Sequence, residues 1–345
     1  MRKEVLFAIV AGIGLGLILA FGVWRANLAF RSKTSTQNNE NQNQASNSSI
    51  GLTLASPEDF DVLSVSPLTI TGITKANALL AISGSENDFI LKSDGEGGFS
   101  QEMPLSEGVN EILISVFDEN NQVLAKKLLV VYSTEFSKQV SISIPTPETT
   151  EEEVASPGAS EVREKVQEKV EEAKLSPKFF MGSVTDKLAE TIEIKDPEGV
   201  IKQISLNSEE AVFIKIAKTR SEVKFSDLAI GDFIIAMGFQ NGNGTLDGKR
   251  FLITEEFKPS SRVSLIGTLS DIKKAEFTFK TIDGKTEYLI KNNKDLTLLS
   301  DASGKEEEIG FADLSEGEQS VIVGTIDSSN LSARTIKIIG QKPTI

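Results

Sequence analysis

The amino-acid sequence predicts a mostly β chain: an N-terminal transmembrane helix, a β-sandwich, a short charged helix linker and two tandem small β-barrels. Three observations predict it. A run of 20 residues, Val5 to Trp24, carries no charged side chain; short alternating apolar runs bounded by turn residues begin near residue 51; and an apolar-x-Asp-Leu-x-x-Gly motif returns 86 positions after its first appearance. Alternation with period two is the pattern of a half-buried strand, and self-similarity at a fixed spacing marks duplicated units.

Residues 1–33 read as a single-pass anchor. At about 1.5 Å rise per residue, Val5 to Trp24 spans roughly 30 Å, one bilayer core. Arg2 and Lys3 precede the run, Arg25, Arg31 and Lys33 follow it, and Trp24 lies where an interfacial aromatic belongs. The competing reading is a cleaved signal peptide, but the run is longer than a usual signal and no A-x-A site follows it. Basic residues flank both ends, so charge alone does not orient the helix. The polar, charge-poor stretch 34–50 reads as a flexible tether, and it places the C-terminal domains outside the cytoplasm. Within the run Ala8, Gly12, Gly16 and Ala20 recur every four residues, a face through which two anchors could pair. A monomeric anchor is equally compatible with them.

Residues 51–136 alternate at Leu68–Ile70, Leu80–Ile82 and Phe89–Leu91. Ile112, Ile114 and Val116 alternate with Leu113, Ser115 and Phe117 before a polar turn and a returning strand to Tyr132, a hairpin. Strands of this length and spacing match an immunoglobulin-like sandwich. The pattern Pro67-x-x-Ile70-Thr71-Gly72, Ser93-Asp94, Gly98-Phe99-Ser100, Leu105-x-x-Gly108-x-Asn110, Asp118 and Val131-Tyr132-Ser133 resembles the bacterial immunoglobulin-like modules of surface proteins, similar to the B domain of glucodextranase. That resemblance implies a spacer or adhesion module and carries over no catalytic residue. The acidic loop Asp94 to Gly98 lacks the alternating ligands and terminal Glu of an EF-hand, and it reads as a turn.

Residues 137–178 form a Pro/Glu-rich linker, in which Val162, Val166, Val170 and Ala173 stand at helical spacing after Ser160. The repeats follow, 179–258 and 262–341. Phe225, Asp227, Leu228 and Gly231 of the first return as Phe311, Asp313, Leu314 and Gly317 of the second, and Gly182 of the first has its counterpart in Gly267. Phe and Leu serve as apolar anchors, Asp caps a short turn and Gly frees the backbone to enter the next strand. The arrangement looks like a bacterial family of small, OB-like barrel domains, with Glu318 standing in the second copy where Asp232 stands in the first. Each repeat has its own apolar strand set, and the tandem pair, Phe179 to Ile345, is expected to fold without the rest of the chain.

The composition limits the chemistry. There is no histidine and no cysteine. This excludes Ser-His-Asp and Cys-His nucleophile pairs, thiolate or imidazole metal sites, haem held by His or Cys, and disulfides. No cofactor, no metal site and no catalytic residue is expected. The formal net charge is −14, and residues 179–345 hold 21 Lys+Arg against 26 Asp+Glu, which disfavours nucleic acid on OB-like barrels. The stretch Gly242 to Arg250 has the wrong spacing for a phosphate-binding loop and reads as a hairpin. The expected function is a membrane-anchored, non-enzymatic envelope binding, adhesion or spacer protein, its partners the membrane and an envelope glycan or protein. A carbohydrate-active enzyme or accessory subunit using paired carboxylates is the alternative class.

Overall fold

The computed structural model describes residues 51–118, 122–143, 176–301 and 305–341. They hold 22 strands and one short helix. The first unit comprises β1 (Thr53–Ser56), β2 (Val62–Leu63), β3 (Leu68–Ile73), β4 (Leu79–Ser83), β5 (Asp88–Lys92), β6 (Gly98–Met103), β7 (Gly108–Phe117) and β8 (Val123–Tyr132). They form a three-stranded sheet, β1-β3-β6, and a five-stranded sheet, β2-β8-β7-β4-β5. The β7–β8 hairpin is antiparallel from Gly108↔Tyr132 to Phe117↔Val123. Ile70, Phe99 and Met103 of the smaller sheet meet Leu80, Ile82, Ile112, Ile114 and Val116 of the larger in one buried core. Helix α1 (Thr134–Ser143) follows β8 directly. Ser133 starts it: its Oγ accepts the N–H of Phe136 at 3.3 Å, and Glu135 lies in the first turn, where an acid suits the helix dipole.

The second unit comprises β9 (Pro177–Leu188), β10 (Thr191–Lys195), β11 (Ile201–Leu206), β12 (Val212–Ile216), β13 (Arg220–Val223), β14 (Phe233–Gln240) and β15 (Leu246–Thr254). The third comprises β16 (Arg262–Ser270), β17 (Glu276–Thr281), β18 (Glu287–Lys291), β19 (Thr297–Ser300), β20 (Glu307–Glu308), β21 (Glu318–Asp327) and β22 (Asn330–Gln341). The sheet orders are β11-β10-β9-β14-β15-β12-β13 and β18-β17-β16-β21-β22-β19-β20, the same topology twice, and in the first copy β11 also pairs with β15. The segment around Gly242 is the turn of the β14–β15 hairpin. Both copies bulge at one glycine of this hairpin, Gly238 and Gly324. A Cβ there would lie 1.9 Å from the Asp247 carbonyl oxygen and 2.3 Å from that of Ser332, so neither position accepts a side chain.

Two further cores lie between units. Val62, Val131 and Phe136 pack on Phe179, Met181, Phe233, Ile235 and Met237; Ala81, Ile90 and Phe117 pack on Ile266, Val321 and Val323. The five-stranded sheet is thus apolar on both faces, and residues Asn110 to Phe117 of β7 are all buried.

These contacts correct the expected architecture. A free-standing immunoglobulin-like sandwich would keep the outer face of each sheet wet, and independent barrels would close their apolar residues inward. Here the outer face of the five-stranded sheet is shared with both repeats, and the sheets stack in a solenoid-like arrangement within one compact body, Ser49–Ile345. The transmembrane part of the expected fold is corrected too. The helix present has ten residues, and no helix among the described residues is long and apolar enough to cross a membrane. The expected span Val5 to Trp24, with Ala8, Gly12, Gly16 and Ala20, lies outside the described residues, as do the tether 34–50 and the helix expected after Ser160. The single-pass, extracytoplasmic membrane localisation built on that span therefore has no support from the fold.

Candidate binding site

The repeated motif forms the same turn in each copy. Phe225–Asp227 and Phe311–Asp313 are single 3₁₀ turns. Asp227 Oδ2 accepts the Lys224 N–H at 2.9 Å, and Asp313 Oδ2 accepts the Gly310 N–H at 2.8 Å. Leu228 and Leu314 are buried in their own cores, while Phe225 and Phe311 pack on Phe213 and Phe277 with ring centroids 5.6 and 5.7 Å apart. Gly231 and Gly317 adopt φ of 94° and 84°, a left-handed conformation that favours glycine. Each donates its N–H at 2.8 Å across the sheet, to Val184 and Leu269 respectively. Asp232 and Glu318 accept the N–H three residues back, at 2.9 Å in both copies, so the longer side chain reaches the same kind of partner. Asp94 Oδ1 likewise accepts the N–H groups of Glu96 and Gly98 within its own loop.

None of the eight motif residues lines an apolar cleft that lies at the seam between the first and second units. This cleft of about 390 Å³ is lined by Phe60, Leu129, Phe180, Met181 and Pro259 and by the charged residues Asp59, Asp196, Glu198 and Lys202. Phe60 is its most informative residue. It has φ 65°, an uncommon conformation for a bulky side chain, and the residue is 38% exposed. Two backbone hydrogen bonds hold it there: its N–H donates to Leu129 O at 2.8 Å, and its carbonyl accepts from the Phe179 N–H at 2.9 Å. The residue therefore bridges β8 and β9. Its ring meets the buried Phe179 edge-on at 5.5 Å. In the same lining the Lys202 ammonium lies 5.7 Å from the centre of the Phe180 ring.

The seam is pinned beside the cleft. Lys178 Nζ donates to Asp61 Oδ1 and to Glu58 Oε2, each at 2.7 Å. The Lys178 hydrogen bond and charge hold the Glu58 carboxyl below its ordinary range. Burial pulls the Lys178 ammonium down, but the hydrogen bonds and charges of Asp61 and Glu58 outweigh it, and the net shift is upward.

Elsewhere the charged side chains act as clamps between units. Glu135 of α1 receives both Arg220 and the buried Arg250. Burial lowers the Arg250 guanidinium from its ordinary value, against the pull of Glu135. Arg334 pairs with Asp88, whose side chain is fully buried, Arg262 donates to the carbonyls of Ser83 and Glu111, and Lys337 reaches the Ile90 carbonyl at 2.9 Å.

The sequence reading did not single out Phe60, Phe180 or Lys202. The available signal was the Phe179-Phe180 doublet, because adjacent strand residues point to opposite faces and two consecutive aromatics imply two apolar surroundings.

No protein-family model and no curated protein matches the chain. Among solved structures, β-glucuronidase 3 of Bacteroides uniformis aligns at TM-score 0.21 and 12% identity, over 56% of this chain and 23% of that one. The chain thus spans about a quarter of that enzyme's length. A tetra-tandem repeat from the extending region of a large adhesion protein aligns at TM-score 0.20 and 10% identity, over 86% of this chain and 74% of the other. A Ca2+-stabilised adhesin with which an Antarctic bacterium binds ice aligns at 0.19 and 10%, with the same coverage. Scores this low carry no argument about function.

Proposed function

We propose that this chain is a non-enzymatic binding protein of the adhesion or spacer kind, with the seam cleft as its ligand site and a glycan or protein as its ligand. The observation that supports it is Phe60, a partly exposed aromatic in an uncommon backbone conformation in the lining of an apolar cleft. Strained residues cluster where a surface is shaped for a ligand, and an apolar pocket with a few convergent polar groups is the usual form of a binding site. On this reading the turn residues Asp227 and Asp313 belong to the scaffold, and the interface clamps hold the two walls of the cleft in register.

The test is a glycan array, together with a protein-ligand panel, probed by the labelled full chain and by its Phe60→Gly variant, which removes the ring and suits the backbone. Binding is expected for the parent and lost in the variant at an unchanged melting temperature. Undiminished binding by Phe60→Gly overturns the assignment of the cleft, and release of a hydrolysed product from a bound glycan overturns the non-enzymatic reading.

A further inference from the structure

We infer that the seam cleft takes a cationic group on an apolar stem, as a lysine or arginine side chain of a partner protein presents it; this rests on the reading of the cleft as the ligand site. The apolar and the charged lining residues ask for different things. Phe60 and Phe180 offer ring surface, and Leu129 and Met181 offer aliphatic surface, so the body of the occupant is apolar. Among the charged lining residues three are acidic, Asp59, Asp196 and Glu198, against one basic, Lys202. A neutral sugar would not use that imbalance, and an anion would be repelled by it.

The geometry of the carboxylates adds to this. Asp59 Oδ1 accepts the Leu129 N–H at 2.8 Å, and Asp196 Oδ1 accepts the N–H groups of Glu198 and Val200, so in each case one oxygen is fixed by the fold and the other remains for a donor. The chain already places one cation against this aromatic lining, since Lys202 Nζ lies 5.7 Å from the Phe180 ring centre. The Phe60 ring, held edge-on against Phe179, offers a second aromatic surface to a ligand cation. The net charge of −14 adds a long-range attraction for a basic partner.

Calorimetric titration of the full chain with n-hexylammonium, hexan-1-ol, hexanoate and maltotriose separates the chemistries. Hexylammonium is expected to bind roughly tenfold more tightly than hexanol, the margin a cation gains over an aromatic face when partly desolvated. Its affinity is expected to fall severalfold as salt shortens the screening length. Glu198→Gln, an exposed turn position, is expected to weaken hexylammonium about threefold and to leave hexanol unchanged, as a screened surface charge would. Phe60→Gly is expected to abolish both. Hexanol or maltotriose binding as tightly as hexylammonium, with Phe60→Gly still abolishing it, overturns the cationic class and leaves the cleft as the site. Binding of every probe unaffected by Phe60→Gly overturns the class and the cleft together.

Discussion

Phe60 places two physical costs in opposition. A bulky side chain in the left-handed region costs on the order of 1–3 kcal/mol, and a ring packed against Phe179 and Leu129 returns a similar amount through burial. Truncation to Ala removes the ring and keeps the backbone cost. Truncation to Gly removes both. Phe60→Gly is therefore expected to be more stable than Phe60→Ala by about 1 kcal/mol in urea unfolding. Equal stabilities would mean that the backbone there relaxes once the ring is gone. No sequence pattern marks this residue, because its partners Leu129 and Phe179 stand 69 and 119 positions away and nothing local demands φ 65°.

At the scale of the element, the repeated turn makes a paired prediction. Asp227 and Asp313 are exposed and each satisfies a backbone N–H at its own turn. Asp→Ala at either is expected to cost about 0.5–2 kcal/mol, the usual effect of losing a cap. Similar losses in both copies, measured by thermal melting, are the signature of a turn role, and a loss in one copy alone would contradict it. The seam ion pair makes a second. Glu58 is depressed, so its share of stability is complete above its ordinary 4.5 and is lost as pH falls through the lower folded value. Lys178 is raised, so its share is complete below its ordinary 10.5 and is lost as pH rises through the higher folded value. The difference in urea midpoint between the parent and Lys178→Met is expected to be flat from pH 5 to 10 and to shrink on both sides. A difference that keeps growing at acid pH contradicts the pairing. Elements of this kind differ in how well the sequence declares them. The repeat was legible because its turn needs a buried Leu and a left-handed Gly at fixed spacing. Helix α1 was not, since Ser133, its capping residue, also ends the pattern of a strand and the helix begins one residue later. For β7, Leu113 and Phe117 already announced a second apolar face, and the polar Glu111 and Ser115 that stand on it are buried in the structure.

For the whole molecule, the shared cores decide whether the parts stand alone. Each repeat has an inner core, which is why independent folding was the natural expectation from sequence. Cut free of the first unit, residues 177–345 would expose Phe179, Met181, Phe233, Ile235, Ile266, Val321 and Val323. At about 1.5–3 kcal/mol for each buried side chain the forfeited burial is on the order of 10 kcal/mol, an upper figure and comparable with the total stability of a typical domain. Residues 177–345 alone are expected to bind an apolar dye and to melt broadly, where 51–345 melts sharply. A sharp melt of the shorter piece without dye binding would show that the interfaces are dispensable.

The double-faced sheet also sets a timetable for synthesis. Strands β4 to β8 are complete once Tyr132 has been made, but the covering residues Val321 and Val323 belong to β21, near the C-terminus. At roughly 5–20 residues per second the ribosome needs on the order of 10–40 s to supply them. Throughout that interval the nascent chain presents a finished strand ladder with one dry face uncovered, a surface on which chaperones and other nascent chains compete with its own unborn partner.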